Sequence, residues 1–126
     1  MTVREIYNSV LALTLETAAD NQEYEEFVVP HFNLLLQELF RHNNVARQRN
    51  GKDVFTQPPK VADQSDANPY EWQFDNAVIY GLAAKLMTAG ESDLAGTYLQ
   101  MYYSAVNDAL PAQIENVEDV YAADSY

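Results

Sequence analysis

The sequence predicts an all-α protein: a small helical bundle with a long antiparallel helical hairpin and one extended loop. Three observations carry that expectation. Apolar residues recur every three or four positions from Val3 to Leu39, the repeat of a helix with one buried face. Residues 69–110 read as two long helices joined by about three residues, so the second must run back along the first. Between these halves, residues 44–67 lose periodicity and collect turn formers. A chain of 126 residues makes one domain, long enough to bury roughly two thirds of the surface its unfolded form exposes.

The elements follow in order. Thr2-Val3-Arg4-Glu5 has the T-x-x-E form of a capping box, and Val3, Ile6, Tyr7, Val10 and Leu13 extend it into a helix over about 2–19. Asn21-Gln22-Glu23 starts a second helix with acid in its first turn, and Tyr24, Phe27, Val28, Leu35 and Leu39 carry it to about Asn43. Pro30 predicts a kink there, or a break with a restart at Pro30. The loop holds Asn50-Gly51 as a turn, Pro58-Pro59 and the polar run Asp63 to Asp66. Val54-Phe55-Thr56 is its one stretch with the composition of a short strand or β-arm, and loops this long in compact domains are often functional.

Asn68-Pro69-Tyr70-Glu71 predicts a helix start, with Asn as cap and Pro at the first helical position. Its inner face is Phe74, Ala77, Val78, Gly81, Leu82, Lys85 and Leu86, and Gly90 suits its end. Ser92 or Asp93 caps the last helix, whose stripe is Ala95, Tyr98, Leu99, Tyr102, Ala105, Val106 and Ala109, closed by Pro111. Small residues at 77, 81, 84, 95, 96 and 105 let the two backbones approach. Residues 1–110 thus form a single helical domain with the loop 44–67. An acidic tail, 111–126, keeps Ile114, Val117, Val120 and Tyr121 at helical spacing.

Composition excludes several chemistries. There is no cysteine, hence no disulfide, thiolate metal site or cysteine nucleophile. No apolar run reaches the ~18–20 residues of a bilayer span, and Met1 to Leu15 is unlike a signal peptide, so a soluble protein made in the cytoplasm is expected. The four glycines form no phosphate-cradling loop, and His31 and His42, eleven apart, match no metal motif and read as ordinary polar helix residues. No serine has a nucleophile's flanking pattern. Glu71 with Asp75, or Glu115 with Glu118 and Asp119, could hold a cation or act as an acid–base pair, but solvated faces explain both more simply. Neither a cofactor nor a metal is expected. Trp72 lies beside the inner stripe, where core is the plainer expectation and interface the sharper one. Tyr98 and Tyr102 read as core, whereas Tyr103, Tyr121 and Tyr126 are off it or in the tail.

The charge distribution is the remaining signal. The formal net charge is −12, yet five of the seven Lys and Arg residues (Arg41, Arg47, Arg49, Lys52, Lys60) fall between 41 and 60. So acidic a chain is a poor ligand for nucleic-acid phosphates. A basic loop can simply pair with acid on its own surface. The favoured reading is a positive arm, with Phe55 beside its cations, that meets a negative surface on an identical neighbour. The contacts of the tail are expected from Ile114, Val117, Val120, Tyr121 and Tyr126.

The order of elements also resembles a known family. The stretches "NLLLQELFRHNN", "VARQRNGKD", "PPKVADQSDANPYEWQFDNAVIYGLAAKLM" and "DLAGTYLQMYYSAVNDAL" together look like the head-tail connector (adaptor, head-completion) proteins of tailed bacteriophages, over about residues 23–110. The strong acidity and the extended tail depart from that pattern. The resemblance implies an all-helical, non-enzymatic protein of the virion neck, made in the host cytoplasm. It implies a ring of about twelve copies under the portal protein, contacting neighbouring copies and the next neck or tail component, with DNA passing through unbound. A channel wall that repels phosphate would let the duplex slide. Two rival functions remain open: a small acidic DNA mimic that inhibits a nucleic-acid-binding protein, and an enzyme with a carboxylate-bound metal.

Overall fold

Helices account for most of what a computed structural model of the chain describes, namely residues 1–14, 22–87 and 92–110. α1 (Val3–Leu13) begins with the expected capping box: Thr2 Oγ1 accepts from the Glu5 N–H at 3.1 Å, and the Thr2 N–H donates to Glu5 Oε1 at 2.8 Å. It is shorter than predicted. Thr14 closes it, its N–H and hydroxyl both donating to the Val10 carbonyl. Positions 15–19 of the predicted helix lie outside the described residues.

α2 (Gln22–Glu38) is continuous through Pro30, so the alternative of a break with a restart there is corrected. Pro30 and Glu26 are both on the exposed side, where the carbonyl freed by the missing N–H is accessible to solvent and the cost is small. The interruption comes instead at Leu39 (φ −94°, ψ 3°), and it is a bend: the Leu39 N–H still reaches Leu35 O at 2.9 Å, and the Asn43 N–H reaches Leu39 O at 2.8 Å. α3 (Phe40–Arg49) continues past the predicted end at Asn43. Gly51, at φ +76°, stops it. The Gly51 N–H donates to Gln48 O at 3.1 Å and the Lys52 N–H to Arg47 O at 2.8 Å, the paired bonds of a Schellman motif.

The long connection therefore starts at Asn50. Val54-Phe55-Thr56 forms no strand; the one β-pairing among the described residues is an isolated bridge between Thr2 and Ala67. Helix formation after the loop is later than predicted. Asn68 Oδ1 does accept the Tyr70 N–H at 3.0 Å, but as a turn, and Glu71 is still extended (φ −68°, ψ 153°). A single 3-10 turn, Trp72–Phe74, then leads into α4 (Asp75–Met87).

α4 is the axis of the fold. Ala77, Val78, Gly81, Leu82, Ala83, Ala84, Leu86 and Met87 are all buried, because α1, α2 and α5 pack around it. α5 (Ser92–Ala109) returns antiparallel: Asn76 shares a groove with Ala109, and Ala84 shares one with Ala95. The predicted hairpin is thus present. Gly81 is a point of close approach to two helices, since a Cβ there would lie 2.6 Å from Leu35 Cδ2 of α2 and 2.9 Å from Tyr102 Cδ1 of α5. Gly96 plays no such part, with nothing within 4 Å of a built Cβ. Tyr98 and Tyr102 are buried as predicted, while Leu99, assigned to the same stripe, is 38% exposed.

Candidate assembly surface

The loop after α3 does not project. It runs back along α2–α3 as a strap, held by two asparagines. Asn44 Oδ1 accepts the Phe55 N–H at 2.9 Å and its Nδ2 donates to Phe55 O at 3.0 Å. Asn33 does the same to Val61, at 2.8 Å and 3.0 Å. Each amide thereby occupies both backbone groups of one strap residue, as a neighbouring strand would. The lengths agree: eleven helical residues rise about 17 Å, and six extended residues cover about 19 Å. Further along, the Gln64 side chain donates to Glu25 Oε2 at 3.0 Å, and Arg4 holds the same carboxylate through two bonds, at 3.0 Å and 3.1 Å. These bonds keep the Glu25 carboxyl below its usual range, Arg4 contributing most.

The strap's first turn is fixed by a buried carboxylate. Glu71, only 4% exposed, receives Lys52 Nζ at 2.9 Å, Asn50 Nδ2 at 2.8 Å and Arg47 at 3.4 Å. Its own N–H donates to Asn43 Oδ1 at 2.8 Å, and Asn43 is itself wholly buried. Burial pushes the Glu71 carboxyl up, but the bonds from Asn50 and Lys52 and the charges of Lys52 and Arg47 outweigh it and leave the group below the ordinary range. The solvated-face reading of Glu71 is therefore corrected: it is an anchor with three partners.

Each predicted arm residue can now be placed. Arg47 is half-buried; it donates to the Asp53 carbonyl, pairs with Glu71, and lies 4.2 Å over the Phe55 ring. Phe55 also stacks on Tyr70, centroids 6.2 Å apart. Lys52 is tied to Glu71. Arg47 and Phe55 are half-buried, and Lys52, though 54% exposed, is paired with Glu71, so the expectation that they form a free arm is corrected, because Glu71 and the two asparagines draw the segment onto its own subunit. Arg41, Arg49 and Lys60 differ. All three are exposed, and none makes an ion pair with a described residue. Arg41, Val45 and Arg49 stand at i, i+4 and i+8 on α3, one ridge pointing away from the core. Ile114, Val117, Val120, Tyr121 and Tyr126, with Glu115, Glu118 and Asp119, lie outside the described residues.

Apolar exposure adds to the surface. Trp72 is 72% exposed, which corrects the expectation of a core position, and Tyr103 is 52% exposed. Phe27 and Leu34, one heptad apart on α2, are also open. An open groove of about 530 Å³ runs between the 3-10 turn, α4 and α5, lined by Gln73, Asn76, Tyr80, Met101 and Asp108. Elsewhere Lys85 pairs with Glu38, which also accepts the Tyr102 hydroxyl at 3.0 Å; burial raises that hydroxyl's pKa, and Glu38 adds to the effect. His31 is half-buried, with its pKa lowered by burial and by Lys85, whereas His42 is exposed. Among the described residues, no group of three or more His, Asp or Glu is placed to hold a metal.

The asparagines and Glu71 escaped the sequence reading. A signal existed: Asn33 and Asn44 are eleven apart, three helical turns, and so share a face. Comparison with known proteins adds nothing to this geometry, since no family model, curated protein or solved structure matches the chain.

Proposed function

We propose that this chain is a structural connector of a tailed-phage neck, assembling as a ring beneath the portal protein and lining part of the DNA channel. The observation that carries the reading is the placement of the surplus cations. In a chain of net charge −12, Arg41, Arg49 and Lys60 stay exposed and unpaired with any described residue, although carboxylates are abundant. Cations that a fold leaves open on an acidic body are suited to an acidic surface on another molecule, where complementarity sets orientation and rate. The exposed Trp72 and Tyr103 supply the aromatic contacts on which such interfaces concentrate their energy.

The contact element in this reading is a rigid ridge. α3 is bent against the bundle and tied at its end by Glu71, so its cations meet a partner already ordered and little conformational entropy is lost. The same acidity suits a channel wall that repels phosphate. Imaging of purified chain mixed with its portal tests the proposal: rings of many copies seated on the portal are expected. A chain that stays free of the portal, and of itself, at every concentration overturns it.

A further inference from the structure

We infer that copies of this chain join head to tail, the cationic ridge of α3 on one copy docking on an acidic corner at the opposite end of the α2–α3 rod of the next. This rests on the ring-assembly reading above and names its contact. The corner is built where the turn over 62–66 packs on α1: the Val3 N–H donates to Asp66 O at 2.9 Å and the Arg4 N–H to Gln64 O at 2.8 Å. Asp63 and Asp66 lie in that turn, Glu5 in the first turn of α1, and Glu26 follows the Glu25 that meets Arg4 and Gln64. The local cation, Arg4, is taken by Glu25, so none of these four carboxylates has an ion pair with a described residue.

The two ends are far apart. Glu26 and Arg49 are separated by 23 residues of helix, about 35 Å along its path. One end of the rod carries Arg41, Val45 and Arg49. The exposed Trp72 belongs to the same end, because Asn50, next to Arg49, clasps Gln73 in both directions, at 3.2 Å and 3.0 Å. The other end carries the four carboxylates, with exposed Phe27 and, one heptad along, Leu34. Lys60, next to the Val61 that Asn33 clasps, is the one exposed cation on the acidic side, so that end carries mainly carboxylate and the other mainly arginine, each beside an open apolar side chain. Two different patches that complement each other on one molecule give a heterologous contact, which closes into a ring or runs into a filament. A face-to-face dimer would instead set arginine against arginine.

A charge-swap experiment on the full chain tests this by sedimentation velocity at low salt. Wild type should show oligomers that grow with concentration. The variant R41E/R49E and the variant E26K/D63K should each lose association by about a hundredfold, and a one-to-one mixture of the two should regain it, since each swapped patch meets its opposite. E26K alone, which removes no hydrogen bond of the turn, should weaken association in the same direction if the double variant folds poorly by circular dichroism. If R41E/R49E fails but both Glu26 variants assemble normally, or if the mixture is not rescued, the acidic corner is not the acceptor, while the ring reading stands. Wild type that remains monomeric at millimolar concentration and beside the portal overturns both.

Discussion

The strapped half of the molecule and the helical hairpin are held by different physics. α4 and α5 close on apolar contact: α4 is buried almost throughout, and at Gly81 two side chains press on a position with no room for a methyl group. The strap over residues 50–66 is held by amides and charges, with Asn33, Asn44 and Glu71 as its fixed points. Apolar burial grows with area and tolerates small shifts, whereas each polar tie depends on one geometry. Damage to the hairpin should unfold the whole domain. Damage to a tie should free the strap and leave the helices standing.

The largest effect tests the hairpin. Gly81→Leu forces a branched side chain into the space of Leu35 and Tyr102, and overpacking of this kind costs about 3 kcal/mol. Denaturant unfolding should show one transition with a lower midpoint, and helix and strap should be lost together. If the strap melts separately, the hairpin is not what sets global stability.

Glu71→Gln comes next. Removing the charge leaves Arg47 and Lys52 facing a neutral amide; because Lys52 is 54% exposed, the cost falls well below that of a closed buried pair, to about 2 kcal/mol. Faster hydrogen exchange over the strap, with helix content unchanged, is the expected readout. The pH dependence has a definite sign. The folded Glu71 and Glu25 carboxyls lie below their ordinary range, so their contribution is present above the unfolded pKa and lost as pH falls through the folded one. Acid should therefore release the strap before the hairpin melts, and the difference should vanish in Glu71→Gln to the extent that Glu71 carries it. An acid response unchanged by the substitution would remove Glu71 from that role.

The asparagine clamps are smaller and more local. Asn44→Ala leaves the Phe55 N–H and carbonyl without their partner in a half-buried site, a loss of about 1–2 kcal/mol, and Asn33→Ala should act alike at Val61. Limited proteolysis should nick the strap sooner in both variants while circular dichroism is unchanged. The two positions are eleven residues apart with no shared partner, so their effects should add. Cleavage rates equal to wild type would mean that the strap is held by the Glu71 cluster alone.

This division also explains what the sequence made legible. The bundle and the hairpin were readable because apolar burial leaves a period: Val3, Ile6, Tyr7 and Val10, or Ala77, Val78, Gly81 and Leu82, announce one face each. α3 was hidden because its inward residues are Asn43 and Ala46, and its strap-facing ones Asn44 and Arg47, so no apolar repeat marks it. Reading Arg47 and Arg49 as loop residues follows directly. Pro30 misled in the opposite sense, since a proline on a solvent face interrupts the pattern more than the helix. For the surface, the sequence located the cation surplus. It could not separate Arg47 and Lys52, claimed by Glu71 across 24 and 19 positions, from Arg41 and Arg49, claimed by no described residue. Such pairings depend on tertiary contact and leave no local signature.

The smallest effect sharpens the contrast from within the hairpin. Gly96 shares α5 with Tyr102, and the sequence groups it with Gly81 as a packing residue, yet a Cβ at 96 meets nothing within 4 Å. Its backbone is helical, so the missing side chain confers no contact and leaves the unfolded chain with excess freedom. Gly96→Ala should therefore stabilise the domain by about 0.5–1 kcal/mol, the difference in helix propensity alone. The same methyl at Gly81 should destabilise it, because Leu35 Cδ2 and Tyr102 Cδ1 already occupy the space. Opposite signs for one substitution at two glycines, measured by thermal unfolding of the two variants, would establish that only Gly81 is a site of helix contact. A loss of stability at both positions would mean that α5 packs closely at Gly96 as well.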